Sequence, residues 1–299
     1  MEAARHRRIN GNMKRLQRTK NRKKNKFRYV IIVICLGVFC YSAWHVGSSY
    51  YRAYVSQKAA EEEAKKIEQQ LEEARRRAEE EAQNQQNENE GGEQGEGTEG
   101  KDDQPQTQPQ PFVLNFDELL AVNSDIMGWL RVDGTNINYP VLYSYTDRDY
   151  YLSHNYRKEY DAQGAIYIEN FNSRDLSDFN TIIYGHSMLN GNMFGTLHSF
   201  SNWNFFYGYG NITLYTPSAT YHYQVFESAT IEGKHLLTIL DNSSRTSIQE
   251  FINTIAAYPG SLRKTEYSIT PDSHIITLST CTTDESKRLV VFAVLTSVE

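Results

Sequence analysis

The chain has 299 residues and a formal net charge of −6, enough length for one or two domains with a sizeable buried core. The charge is unevenly spread: twelve Lys/Arg stand against Glu2 alone between Met1 and Arg28, leaving 19 basic and 36 acidic residues in the rest. That split describes a basic tail on an acidic body and excludes a uniformly acidic protein.

A basic tail by itself suits nucleic acid, but the next segment argues against that partner. Tyr29 to Val46 reads YVIIVICLGVFCYSAWHV, an almost uncharged run of about the length a spanning helix needs. Trp44, Tyr50 and Tyr51 stand near its far end, where amphipathic rings favour the interface. The expectation is an uncleaved transmembrane helix over residues 29–46, with residues 1–28 cytoplasmic by the positive-inside rule and the remainder outside. A cleaved signal peptide is the competing reading; it needs a shorter apolar region and a small-x-small site. Ser42-Ala43-Trp44 and Gly47-Ser48-Ser49 are poor matches to such a site.

Residues 47–111 read as a charged helical stalk and a linker. Arg52 to about Asn84 is rich in Ala, Glu, Lys, Arg and Gln, all strong helix formers, with Glu preceding Lys or Arg at helical spacing. Ile67 and Leu71 are four apart, but no apolar heptad seam is sustained. A solvated stalk is expected, with a weak coiled coil as the alternative. Gln85 to Pro111 is Gln/Asn/Glu/Gly-rich and then runs QPQTQPQP. It has too little apolar surface to offset its ordering entropy and is expected to be a disordered linker.

From Phe112 to Glu299 aromatic and β-branched residues are dense. Asn115 can cap a short helix over FDELLAV, and a second helix is expected over Asp125 to Leu130. Strands are then expected at Asn136–Leu142, Gly164–Glu169, Asn180–Tyr184, Ile212–Tyr215, Tyr221–Ile231, His274–Thr280 and Leu289–Thr296. A helix over Ser247–Ala257 interrupts the later strands, with Ile248, Phe251, Ile252 and Ile255 at helical spacing. Many short strands with few helices predict a mainly β, closed or nearly closed barrel.

Three cysteines occur: Cys35 and Cys40 in the apolar run, and Cys281 alone beyond it. The first two suit lipid as small apolar residues, and no disulfide is available to the later domain. Cys281 ends the strand-like HIITLSTC and precedes the polar turn TTDES. A lone cysteine is often just a small buried residue; a thiol at a strand end beside a loop is also open to substrate. Arg288 opens the next apolar strand, so a strand–turn–strand hairpin would return it beside Cys281. A fixed cation there lowers a thiol pKa and stabilises an oxyanion. The alternative for Arg288 is a solvated strand-end charge. Lys287 should face the other side of the sheet. His186 follows the apolar NTIIYG and can project into a cleft as a general acid or base. His154, His198, His222, His235 and His274 have no comparable setting. One exported cysteine and scattered histidines do not make a zinc site, so no metal is expected. Asp284, in the turn, either orients His186 or caps the turn.

At these residues the chain resembles the sortases. TLSTC with a downstream Arg, and the His of YGHS on an upstream strand, look like the sortase signature. NSDIMGWLRVDGTNINYPVL, DYYLSHNY and GAIYIE resemble the start of the class B domain, so the likeness covers residues 112–299. It implies an eight-stranded β-barrel with helices added at the amino end and one before the strand carrying the cysteine. It further implies a cysteine transpeptidase, working without any cofactor, that anchors secreted proteins to the wall of a Gram-positive cell. Cys281 would attack the Thr carbonyl of an LPxTG- or NPxTx-like sorting motif, forming a thioester that separates cleavage from ligation. His186 would protonate the leaving amine, and Arg288 would hold the substrate backbone and oxyanion. Ser279 and Thr280 would bind substrate, Thr280 through its hydroxyl or backbone. The implied partners are surface proteins with a carboxy-terminal sorting signal, a peptidoglycan-precursor or cross-bridge amine, and the membrane. Pilin polymerisation, a cysteine endopeptidase resolved by water, and a noncatalytic surface-binding barrel remain the rival functions.

Overall fold

The structure, a computed structural model, describes residues 2–90, 115–233, 244–284 and 286–299. Helix α1 spans Glu2–Glu90. Its apolar stretch is long and apolar enough to cross a membrane, and none of that stretch is buried. Of the disordered linker expected over Gln85 to Pro111, residues 85–90 instead continue helix α1, and the rest lies outside the described residues. The chain divides into two compact units, Met1–Tyr54 and Val55–Glu299.

The second unit is built on a closed barrel. Its strands are β1 (Ile126–Val132), β2 (Asn138–Ser144), β3 (Ile166–Glu169), β4 (Asn180–Tyr184), β5 (Asn211–Tyr215), β6 (Thr220–Glu232), β7 (Leu262–Arg263), β8 (Ile275–Cys281) and β9 (Lys287–Val298). Eight of them run β5-β1-β2-β3-β4-β8-β9-β6, and β5 pairing with β6 closes the ring. The two-residue β7 is added on β6. Pairs β2–β3 and β4–β8 are parallel and the rest antiparallel. The expected barrel is therefore the fold, with each expected strand present within a few residues of its ends.

One expectation is corrected. Asp125 to Leu130 is not a second helix: Ile126–Val132 is strand β1, paired with β2 on one edge and β5 on the other. Trp129 lies opposite Pro140 and Tyr215, and the strand is buried on both faces. A doubly buried strand gives a continuous apolar run, which periodicity cannot distinguish from helix. Gly128 discriminates better: a Cβ there would meet the Tyr215 carbonyl oxygen at 2.6 Å, so the close approach of β5 requires glycine.

Alternate residues fill the interior, among them Leu130, Val141, Ile168, Ile183, Leu278 and Val291. Many outward residues of the same strands are covered by helices. Helix α2 (Asp117–Val122) begins where the Asn115 side chain accepts from the Asp117 N–H. A 3-10 turn over Gly195–Ser201 and a short helix, α3 (Trp203–Gly208), precede β5. Helix α4 (Arg245–Ala256) is capped by Ser244, whose hydroxyl accepts from the Ser247 N–H. It lays Phe251, Ile252 and Ile255 on Phe179, Ile182, Phe226 and Phe292.

The stalk expectation is corrected in part. Between Ser56 and Leu71 helix α1 is not solvated all round: Ala60 and Ile67 are buried, with Ala64 and Leu71 half-buried, against Phe116, Leu119 and Tyr156. Ser56 Oγ accepts from Asn155 Nδ2 at 3.2 Å, and Gln70 Oε1 accepts from the Asn115 N–H at 3.2 Å. The buried stripe repeats at three and four residues, as a helical seam does. It is made of Ser, Gln and Ala as much as of Ile and Leu, so an apolar count alone misses it.

Candidate active site

Strand pairing alone assembles the site. Parallel β4 and β8 end together, with Tyr184 opposite Ser279. The ladder continues past that pair: the Gly185 N–H donates to the Ser279 carbonyl at 3.2 Å, and the Thr280 hydroxyl donates to the Gly185 carbonyl at 2.8 Å. That register brings His186 level with Cys281. On the other edge of β8, antiparallel β9 places Arg288 directly opposite Cys281. His186, Cys281 and Arg288 thus stand in one row across three neighbouring strands.

Strand alternation then fixes their direction. Ile183, Leu278 and Leu289 belong to the interior cluster, so His186, Cys281 and Arg288 face outward together. They line one cleft of about 230 Å³, walled by Leu152, Tyr167, Glu169, Tyr184 and Ser279. Glycine is needed at the bend before His186: a Cβ on Gly185 would lie 2.5 Å from Ile166 Cδ1 and 2.8 Å from the Phe194 ring.

Each expected residue has a definite setting. Cys281 is half-buried and carries a free thiol. The His186 Nε2 is 2.8 Å from the Leu152 carbonyl oxygen. A carbonyl can only accept, so the proton resides on Nε2 and Nδ1 is the nitrogen left to gain or lose one. The Leu152 carbonyl thereby orients the imidazole, as the third member of a nucleophile–base set does. Asp284 does not: its carboxylate accepts from the Ser286 N–H at 3.0 Å and pairs with Lys287 at 3.7 Å. The bonds from Ser286 hold it below the usual carboxylate range. It is a turn cap. Ser279 and Thr280 both reach the cleft wall. Ser279 is on its outward face, whereas Thr280 alternates inward with its hydroxyl engaged by Gly185.

Sequence reasoning missed Tyr167, Glu169 and Tyr184. Tyr167 and Tyr184 stack with ring centroids 5.6 Å apart. Burial first, and then the Glu169 charge, raises both phenols well above their ordinary value. Alternation in the run IYIE, apolar inward and Tyr/Glu outward, was the signal available for them. His198, given no role from sequence, also reaches the site: its Nε2 is 3.1 Å from the Cys281 carbonyl oxygen.

A closed barrel with an outward Cys–His–Arg row at the ends of neighbouring strands has the groups that cysteine acyl transfer requires. Comparison with known proteins agrees. The family model described as Sortase domain matches residues 130–296. Sortase B of Listeria monocytogenes is 30% identical over 177 residues, 58% of this chain and 71% of that protein. Sortase B of Staphylococcus aureus is 30% identical over 183 residues, 60% of this chain and 73% of that protein. Among solved structures, Clostridium perfringens sortase B superposes with a TM-score of 0.57 at 28% identity, covering 61% of this chain and all of that one. A Staphylococcus aureus sortase B–substrate complex gives 0.56 at 28% identity, covering 61% and 84%. The chain belongs to the sortase family, in class B, and is a cysteine transpeptidase.

Proposed function

We propose that this sortase is a single-pass membrane enzyme that joins secreted proteins to the cell wall from the outer surface of the membrane. The apolar stretch Tyr29–Val46 is the anchor. The twelve Lys/Arg of residues 1–28 hold the amino terminus in the cytoplasm, and the barrel lies outside. The substrate is a surface protein whose carboxy-terminal signal carries an LPxTG- or NPxTx-like motif, and the acceptor is a cell-wall amine.

The observation that carries this reading is the His186–Cys281–Arg288 row at one level of the barrel wall. The Cys281 thiolate attacks the Thr carbonyl carbon, and the carbonyl electrons move onto oxygen. The Arg288 guanidinium beside it stabilises that oxyanion and grips the peptide backbone by its planar fork. Collapse breaks the C–N bond; His186, protonated on both nitrogens, gives the Nδ1 proton to the departing amine. The thioester then waits for an amine, whose proton returns to His186 as the new peptide bond forms and the thiolate leaves. Ser279 on the cleft wall offers a hydroxyl to the substrate, and a Staphylococcus aureus sortase B–substrate complex is a precedent for substrate binding by a related barrel.

The test is product dependence on amine. A sorting peptide with excess glycine-type amine should give the ligated peptide, with the hydrolysed fragment as the minor product. Hydrolysis unaffected by any amine would instead make the protein an endopeptidase, and ligation only to a pilin Lys would make it a polymerase. Protease added to wall-stripped cells should remove the barrel; a protected barrel contradicts the topology.

A further inference from the structure

His198 lies in the 3-10 turn Gly195–Ser201, between Leu197 and Phe200, both fully buried in the barrel interior. Those two side chains fix the turn to the core, and His198 itself is half-buried. Its Nε2 is 3.1 Å from the Cys281 carbonyl oxygen and 3.1 Å from the Ser187 hydroxyl oxygen. The carbonyl has no proton to give, so Nε2 carries it and donates; Ser187 Oγ receives the other branch of a shared hydrogen bond. One imidazole therefore joins the end of β8 to the segment that carries His186.

Both ends need such a tie. Cys281 is the last residue of β8, where regular pairing gives way to the turn before β9. His186 lies beyond the last residue of β4, and its own segment is closed by the Phe194 N–H donating to the His186 carbonyl at 2.9 Å. The Thr280–Gly185 bond links the strands one residue earlier. The His198 bond acts at the level of the nucleophile itself.

We infer that His198 is a positioning residue that sets the distance between nucleophile and general acid by clamping the Cys281 carbonyl and Ser187 together. It does not touch the reacting atoms. The inference rests on the transpeptidase reading of the same cleft. A displaced nucleophile slows bond formation more than it weakens binding, since misplacement by about 1 Å costs up to roughly a hundredfold.

The experiment is single-turnover acylation followed by intact mass against sorting-peptide concentration. It uses wild type, His198→Met, His198→Asn and His198→Gln. Met keeps the bulk without a donor. Asn carries a donor too short to reach the Nε2 position, and Gln carries one that reaches it. The maximal acylation rate should fall about ten- to a hundredfold in Met and Asn, with half-saturating peptide and Tm little changed. Gln should restore most of the rate. A Met or Asn variant that acylates like wild type overturns the inference, as does a Gln variant as slow as Asn at equal Tm. If Met fails to fold, the Asn–Gln pair decides. A wild type that forms no adduct defeats the transpeptidase reading itself, whereas an adduct formed equally fast in every variant defeats only the role of His198.

Discussion

Two stretches of the outer barrel wall use the same structural rule for opposite ends. Where β4, β8 and β9 meet, the outward positions hold His186, Cys281 and Arg288, and among the described residues these line an open cleft. Where β1, β2 and β3 present Ile126, Trp129, Leu142 and Tyr167, helices α1 and α2 close over the wall. The first stretch keeps polar groups in a cleft open to solvent. The second removes apolar surface from water, worth roughly 25 cal/mol per Å². Tyr167 belongs to both, packed in the cluster under the helical cover and lining the cleft. The contrast predicts that changes in the first stretch remove chemistry and leave stability, and changes in the second do the reverse.

The sharpest break between the two comes from the row itself. Cys281→Ala should abolish cleavage and transfer, since no other thiol occurs beyond the apolar run. His186→Ala should be nearly as severe, because the leaving amine loses its proton donor. Arg288→Lys should cost about a hundred- to a thousandfold in kcat/KM, as a compact ammonium cannot reproduce the guanidinium fork. All three should melt within a few degrees of wild type. A large loss of Tm in any of them would erase the distinction.

The opposite variant is Ile67→Ala on α1. It should lower stability by about 2 kcal/mol, a Tm decrease of roughly 4 to 8 °C, while peptide cleavage by the folded protein holds. A truncated chain starting after Leu71 should melt lower still, because Ala60 and Ile67 no longer cover Phe116 and Leu119. Unchanged melting in both would return residues 55–71 to the role of a plain spacer.

A smaller effect distinguishes a third region, where β7 lies on β6. Burial pushes the Glu227 carboxyl up to about 7 against the pull of Arg263. Its folded-state pKa lies above the ordinary 4.5, so the folded state binds more protons between those values. This group's contribution is full below 4.5 and is lost as pH rises through 7. Compared with wild type, Glu227→Gln should flatten the fall in Tm between about pH 5 and 8. Parallel Tm–pH curves would contradict this assignment.

Much of this was legible in the sequence, for physical reasons. Cys281 and Arg288 were legible as neighbours because a tight hairpin returns one beside the other, whereas His186 sits on a segment distant in sequence and was joined to them only by the resemblance to sortases. The α4 helix was legible because its buried stripe is apolar at strict helical spacing. What escaped depended on contacts between distant segments. β1 looked helical because both its faces are buried. The α1 seam hid in Ser, Gln and Ala residues that matter only once a barrel lies against them. Leu152 and His198 join the site through backbone carbonyls, which leave no mark on residue type.

The central claim is that Cys281 is the nucleophile of a transpeptidase, and intact mass after mixing with a sorting peptide tests it most directly. Wild type should gain the mass of the acyl fragment on Cys281, and hydroxylamine should remove it as a thioester. An adduct mapping to another residue, or cleavage persisting in Cys281→Ala, would contradict the account.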